Sequence, residues 1–136
     1  MGAFSSFDIS ASGLFAQRQR LDVIADNIAN AETTHTSEGG PYVRLQVTFA
    51  EALGEQLKAS EGVEVVGITR DPTPARMVYD PGHPDAGQDG YVAMPNVNIV
   101  EEMVDMIAAT RSYEANVTAM NAAKSMFSAA IELGKA

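Results

Sequence analysis

The sequence predicts an α+β protein, mainly α, in which long N- and C-terminal helices pair as a coiled-coil-like hairpin with a small β-rich insert between them. Three observations predict this class: heptad spacing of apolar residues near the N-terminus, the same spacing over the last third of the chain, and alternating segments between turn residues in the middle. We expect one discontinuous helical domain, residues 1–31 and 96–136, and an insert over residues 32–95.

The N-terminal segment, residues 7–31, has apolar side chains at intervals of three and four. Gly13 weakens a helix by about 1 kcal/mol relative to alanine, and Asp8 or Ser10 is suited to cap the start. We expect a helix of roughly 20–25 residues that pairs with the C-terminal helix. Its apolar positions are Phe7, Leu14, Leu21, Ile24, Ile28 and Ala31.

The middle of the chain begins with a loop rich in Thr, Ser, Glu and Gly that ends at Pro41. Alternating segments then predict four short strands, at residues 42–49, 62–69, 75–79 and 90–94. Between the first two, Phe49, Leu53 and Leu57 are four apart and favour a short helix over residues 49–60. The insert is therefore predicted to be small and rich in β structure.

The last third, residues 98–133, carries a heptad seam over more than four repeats. No proline interrupts it, Asn98 is a good N-cap with Glu101 three residues later, and Gly134 stands where a C-terminal cap is expected. Eight of the ten seam positions are apolar or aromatic. The seam consists of Ile99, Met103, Met106, Thr110, Tyr113, Val117, Met120, Lys124, Phe127 and Ile131.

This C-terminal helix is too long for a compact domain of this size. Thirty-five residues make a helix about 52 Å long, whereas a compact domain of this length is roughly 28 Å across. Fully burying eight apolar side chains contributes about 12–24 kcal/mol gross. The seam is therefore expected to be covered partly by the N-terminal helix and partly by other chains.

The net charge of −9 is concentrated in the insert: residues 1–31 carry −1, residues 32–95 carry −6 and residues 96–136 carry −2. Nearly neutral ends can pack on copies of themselves without strong repulsion, and the acidic balance disfavours nucleic acid as a partner. The chain has no cysteine, no run of 18 apolar residues and no basic, apolar leader. We expect no disulfide, no direct membrane insertion and no cleaved signal peptide.

Nothing in the sequence marks catalysis or a cofactor. Both histidines, His35 and His83, lie in predicted loops, and the phosphate-loop, Rossmann, HExxH and GxSxG patterns are absent. The loop over residues 80–89 contains three aspartates beside His83, but its spacing differs from an EF-hand and is ordinary turn chemistry. We expect that the protein is not an enzyme and that it binds no metal, no cofactor and no small-molecule substrate.

Several runs of residues resemble the rod and hook family of the bacterial flagellum, and the resemblance spans nearly the whole chain. An N-terminal signature, a C-terminal signature and a central run that points to a rod member carry it. These runs are residues 13–30 with Thr33 and Thr34, residues 96–104 and 111–116, and residues 78–85 with 90–92 and Met94-Pro95.

The resemblance implies a structural subunit of the basal-body rod, a tubular drive shaft that transmits torque across the periplasm. It also implies export through the flagellar type III apparatus without a cleaved signal peptide. The expected partners are copies of the chain and other rod proteins in a helical assembly, together with surrounding membrane-ring proteins and basal-body proteins next to the export gate.

We predict that subunit contacts are made by apolar seam residues and by asparagines beside the seam, since amides near a coiled-coil seam more often specify register than add stability. The predicted interface residues are Leu14, Leu21, Ile24, Asn27, Ile28, Asn30, Ile99, Met103, Met106, Tyr113, Asn116, Val117, Met120, Phe127 and Ile131.

The sequence is also compatible with two other classes of protein. A small acidic export chaperone, acting as a binding module, is compatible with the size, charge and helix–sheet–helix plan. A metal-dependent enzyme would use Asp80, His83, Asp85 and Asp89.

Overall fold

The computed structural model describes residues 3–53 and 60–134 as two long helices with two small sheets between them. A helix at each end of the chain with a β insert between them confirms the α+β prediction. In chain order the elements are α1 (Ala3–Ala29), β1 (Leu45–Leu53), β2 (Ser60–Arg70), β3 (Arg76–Tyr79), β4 (Tyr91–Met94) and α2 (Ile99–Leu133).

Helix α2 matches its prediction at both ends. The Asn98 side chain accepts a hydrogen bond from the backbone N–H of Val100 at 3.1 Å, as an N-cap does. At the other end the N–H of Gly134 donates to the carbonyl of Ala130 at 3.1 Å, with Gly134 in a right-handed conformation. Helix α1 begins four residues before its predicted start and ends two residues before its predicted end, so Asp8 and Ser10 lie inside it and do not cap it.

The two helices pack against each other in antiparallel directions. Asn27 of α1 contacts Glu102 of α2, Arg20 contacts Asp105, and Gly13 approaches Asn116. Moving back along α1 thus corresponds to moving forward along α2. The pairing of the two terminal helices as a hairpin is confirmed, whereas their coiled-coil supercoiling remains a prediction.

Strands β1 and β2 form an antiparallel hairpin that lies along α1. Its open end meets the C-terminal half of α1, where Asn27 bonds Leu45. Further along, the N–H of Val63 donates to Ser12 Oγ at 3.0 Å, and the Ser12 hydroxyl donates to the carbonyl of Ile9 at 2.8 Å. Helix α1 therefore packs against both the β1–β2 hairpin and α2.

The prediction of a short helix over residues 49–60 is wrong for those residues of the range that the structure describes. Residues 49–53 continue β1, and Ser60 begins β2; residues 54–59 lie outside the described part of the chain. Phe49 pairs with Val65 across the ladder, next to a bulge after Thr48. Pairing with a long neighbouring strand overrides the weak four-residue spacing that favoured a helix.

We expect the Gly62→Ala substitution to destabilise the chain by roughly 1–3 kcal/mol. Gly62 has a φ of +115°, and a Cβ there would overlap the Ser12 hydroxyl and approach the Ile9 backbone at 3.4 Å. Urea unfolding gives the stability, and hydrogen exchange of the Val63 amide reports whether β2 leaves α1. Gly67→Ala in the same strand is the matched control, since its Cβ would meet nothing within 4 Å; equal effects of the two substitutions would contradict this packing.

Strands β3 and β4 form the second antiparallel pair, with Tyr79 opposite Tyr91 and their rings 5.3 Å apart in an edge arrangement. Val92 is buried, and the chain then enters α2 through buried Pro95 and Val97. The apolar core of the described residues is small and lies mostly where the helices and the insert meet. It consists of Ala16, Val23, Ile24, Ala31, Val92, Val97 and Ala109.

Candidate assembly surfaces and the polar junction beneath them

A buried carboxylate joins the two helices to the insert. Glu102, in the first turn of α2, is 1% exposed. Its Oε1 accepts a hydrogen bond from Arg44 Nε at 2.5 Å, and its Oε2 accepts one from Asn27 Nδ2 at 3.1 Å. A buried charge is tolerated when it is paired and hydrogen-bonded. We call Asn27, Arg44, Asp71, Asn96 and Glu102 the polar junction.

The Asn27 side chain uses its whole hydrogen-bonding capacity within the chain. Its Nδ2 donates to the Leu45 carbonyl at 2.9 Å as well as to Glu102. Its Oδ1 accepts from the Leu45 N–H at 2.9 Å and from the Tyr42 hydroxyl at 3.0 Å. Asn27 therefore mimics a strand partner for Leu45 and fixes the start of β1 against both helices.

Arg44 connects the remaining segments of the junction. Its guanidinium lies 3.3 Å from Asp71 Oδ2, while its backbone N–H donates to Asn96 Oδ1 at 2.8 Å. Asn96 Nδ2 in turn donates to the Thr73 carbonyl at 2.9 Å. Burial by itself would lower the pKa of Arg44, but the hydrogen bonds to Glu102 and Asp71 and their charges raise it. The cation is thus held in its charged form.

Tyr42 is neutral at the edge of the junction. Burial raises its pKa, and the negative charges of Asp26 and Glu102 raise it further. Its hydroxyl therefore remains a donor to Asn27 at physiological pH.

Asp71 makes the junction sensitive to acid. The Thr73 hydroxyl and N–H donate to Asp71 Oδ1 at 2.6 and 2.9 Å, and these bonds lower its pKa; burial opposes them, and Arg44 adds to the lowering. A lowered folded-state pKa contributes stability above the unfolded value of about 3.9, and this contribution is lost as the pH falls through the folded value. We expect the melting temperature to drop on acidification below about pH 4, and to drop less in Asp71→Asn.

Thermal unfolding followed by circular dichroism across this pH range measures that difference. Thr73→Val removes the hydroxyl donor, so the folded-state pKa of Asp71 should lie closer to its unfolded value and the acid-induced loss of stability should be smaller than in the wild type. If the melting temperatures of the wild type and Asp71→Asn fell equally on acidification, the role given to Asp71 would be contradicted.

The predicted interface residues separate into three groups by burial. Ile24 and Asn27 are buried inside the chain. The exposed members are Ile99, Met103, Tyr113 and Ile131. The half-buried members are Leu14, Leu21, Ile28, Asn30, Met106, Asn116, Val117, Met120 and Phe127.

Part of the predicted seam of α2 does not face α1. Met106, Met120 and Phe127 of the seam are half-buried, whereas Met103, Thr110, Lys124 and Ile131 are exposed. The covered positions of α2 are Glu102, Asp105, Met106, Ala109, Asn116, Val117, Met120, Ala123 and Phe127. Glu102, Ala109 and Ala123 are covered where the exposed Met103, Thr110 and Lys124 were predicted, so the covered face is offset by one residue along this row.

An apolar stripe lies on the uncovered side of the first half of α2. We call Val100, Met103, Val104 and Ile107 the base stripe; they are 70%, 54%, 61% and 62% exposed. Their spacing of three, four and seven residues puts them on one face. Sequence reasoning included Met103 but missed the other three, although the same spacing would have revealed a second apolar line beside the seam.

Side chains of the acidic loop over residues 80–89 make local hydrogen bonds within the described part of the chain. No group of three or more His, Cys, Asp or Glu side chains is arranged there to hold a metal ion. His83 Nδ1 accepts a hydrogen bond from the Asp85 N–H at 3.0 Å, and Asp85 accepts one from the Thr34 hydroxyl at 2.7 Å, so these residues organise loops. None of the described helices has an apolar stretch long enough to cross a membrane.

Comparison with known proteins places similarities along almost the whole chain. The family profile described as "Flagella basal body rod protein" matches residues 7–34, and "Flagellar basal body rod FlgEFG protein C-terminal" matches residues 88–133. The chain is 47% identical to flagellar basal-body rod protein FlgC of Bacillus subtilis, covering 99% of the chain and 100% of the relative.

Two further relatives carry the same name. FlgC of Borreliella burgdorferi is 45% identical, with 98% of each chain covered. FlgC of Salmonella typhimurium is 43% identical, covering 99% of the chain and 100% of the relative.

Proposed function

The chain belongs to the FlgC family of flagellar basal-body rod proteins, and from this membership we propose how its surfaces build the rod. It is a structural subunit of the bacterial flagellar basal-body rod and not an enzyme, and it assembles with other rod and basal-body proteins. The chaperone alternative is not favoured, because the relatives named above are rod proteins.

In our proposal α1 and α2 form part of the wall of a tube, and neighbouring chains cover the apolar surface that α1 leaves open. The observation that carries it is the base stripe, which faces away from α1 on the longest helix of the chain. Burying the exposed six-tenths of its four side chains would contribute roughly 4–7 kcal/mol gross, at about 1.5–3 kcal/mol for each complete burial. Such a face on a rod subunit is suited to subunit contact.

The predicted interface residues take two roles in this proposal. The exposed ones, Ile99, Met103, Tyr113 and Ile131, contact neighbouring subunits together with the rest of the base stripe. The buried and half-buried ones determine how the two helices of one chain pack against each other. The polar junction supports both roles, since it fixes α1, α2 and the insert in one arrangement before a neighbour arrives.

The setting of this subunit is also part of the proposal. We place it in the periplasmic part of the rod, exported without a cleaved signal peptide, where it transmits torque toward hook and filament. Copies of itself, other rod proteins, membrane-ring proteins and basal-body proteins near the export gate would surround it. The nearly neutral helical ends and the acidic insert agree with helices in the tube wall and an insert in solvent.

Thiol labelling tests this use of the base stripe. The chain has no cysteine, so Val104→Cys introduces a single thiol on the stripe. We expect a maleimide to label it rapidly in the isolated chain and at least about tenfold more slowly in purified basal bodies, because a packed interface excludes the reagent. Unfolding the same basal bodies in guanidinium gives the total thiol as a control, and equal labelling in free and assembled chains would contradict the proposal.

A further inference from the structure

One face of the β3–β4 sheet is an exposed aromatic surface. Tyr79 lies opposite Tyr91 in the register, and Met77 lies two residues before Tyr79, so the three side chains share a face. Tyr79, Tyr91 and Met77 are 65%, 44% and 58% exposed. The opposite face points inward, since it carries the buried Val92. We call Met77, Tyr79 and Tyr91 the tyrosine face.

The Tyr79 ring is held in place by its neighbours. Gly90 has a φ of +77°, and a Cβ there would lie 2.8 Å from Tyr79 Cε2 and 3.4 Å from Pro81 Cβ. The ring therefore lies directly against the loop at Gly90, while the Tyr91 ring meets it edge-on with the centroids 5.3 Å apart. An aromatic side chain that is already positioned loses little freedom when a partner binds.

Two aspartates adjoin this ring along the chain. Asp80 follows Tyr79 directly, and Asp89 precedes Gly90. Oδ1 of Asp80 accepts from the Gly82 N–H at 3.2 Å, and Oδ1 of Asp89 accepts from the Tyr91 N–H at 3.4 Å. Both side chains are exposed, and neither forms an ion pair with a described residue. Oδ2 of each is thus available to a partner.

The charge around the tyrosine face has a single sign. Residues 77–94 contain three aspartates and no lysine or arginine, giving −3 with the histidine neutral. Arg76, which precedes this segment, alternates with Met77 and so shares the opposite face with Val78. Such a surface attracts a cationic partner and repels an acidic protein or an anionic membrane.

A guanidinium group matches this combination of ring and carboxylates better than an ammonium group does. It is planar and weakly hydrated, stacks on an aromatic ring, and donates parallel hydrogen bonds to a carboxylate, whereas a lysine is a strongly hydrated point charge. We propose that the tyrosine face, with Asp80 and Asp89, binds an arginine side chain on an exposed segment of a partner protein. This surface shares no residue with the base stripe, so the arginine contact and the proposed role of that stripe can fail independently.

Fluorine NMR of the full chain labelled with 3-fluorotyrosine tests the contact, because the chain has four tyrosines and each gives one signal. The probe is the peptide acetyl-Gly-Arg-Gly-Arg-Gly-amide. We expect the Tyr79 and Tyr91 signals to move saturably at millimolar peptide while those of Tyr42 and Tyr113 stay in place. The lysine version of the peptide should bind at least about threefold more weakly. No saturable movement, equal movement of all four signals, or equal affinity for the two peptides would overturn the proposal.

Substitutions then locate the site. Asp80→Asn combined with Asp89→Asn removes both charges but keeps oxygens that can accept the local N–H bonds; the arginine peptide should bind at least about threefold more weakly. Tyr79→Leu should also weaken binding at least about threefold. Asp8→Asn combined with Asp22→Asn removes two exposed charges from α1 and is the matched control, with no change expected. Unchanged binding in the Asp80/Asp89 variant, or an equal loss in the control, would contradict an arginine site on this face.

Discussion

Replacing Glu102 with alanine is expected to lower the free energy of unfolding of the isolated chain by roughly 3 kcal/mol, because it removes the buried acceptor that Arg44 and Asn27 share. The Glu102 carboxylate accepts from both Arg44 and Asn27, and it is 1% exposed. Without it the Arg44 guanidinium keeps only Asp71, at 3.3 Å, and the more distant Asp105, at 3.8 Å. Asn27 loses the partner that connects α1 to α2.

Urea unfolding followed by circular dichroism measures this effect, and Glu101→Ala provides the control. Glu101 precedes Glu102 in the same turn and is exposed, so its loss should change the unfolding free energy by no more than about 0.5 kcal/mol. Glu102→Gln should fall between the two, since its amide can accept from Arg44 but its NH2 group faces another donor in Asn27. A loss below about 1 kcal/mol for Glu102→Ala would show that the junction does not hold the fold together.

Replacing Val104 with glutamate is expected to abolish rod assembly and motility while leaving the isolated chain folded. Val104 is 61% exposed at the centre of the base stripe, so the free chain accommodates the charge in water, with a stability change within about 0.5 kcal/mol. A neighbour that buries this position would enclose an unpaired carboxylate, which costs several kcal/mol. A deletion strain complemented with the variant gives the readout, through swimming assays and counts of rods in purified basal bodies.

Gln88→Glu adds the same charge to the exposed loop before β4 and serves as the control. It should leave motility near the wild-type level. If cells that carry Val104→Glu are motile and have normal rods, the base stripe is not part of the assembly surface.

The helices could be predicted from the sequence because their signals are local. Asn98 caps the first turn, Gly134 stands where the helix ends, and the uninterrupted heptad between them favours a single helix. The four strands were likewise located to within a few residues. The short helix predicted over residues 49–60 was wrong for the described residues 49–53 and Ser60, because cross-strand pairing is a non-local interaction that a four-residue spacing cannot report.

The polar junction could not be predicted because its members come from five separate segments. Glu102 was interpreted from its position as a residue favoured by the helix dipole, and Asn27 as a register or partner contact. Their meeting with Arg44 depends on how the insert folds back on the helices. The predicted facing of α2 was half right for a similar reason, since the side of the helix that becomes buried is decided by non-local packing on α1 and the insert.

A density map of the intact basal body at side-chain resolution tests the proposed rod-wall arrangement most directly. We predict that within each of these chains Glu102 still contacts Arg44 and Asn27, and that Val100, Val104 and Ile107 are covered by a neighbouring chain. A map in which these three side chains face open solvent, or in which the helices of one chain are separated at Glu102, would contradict it.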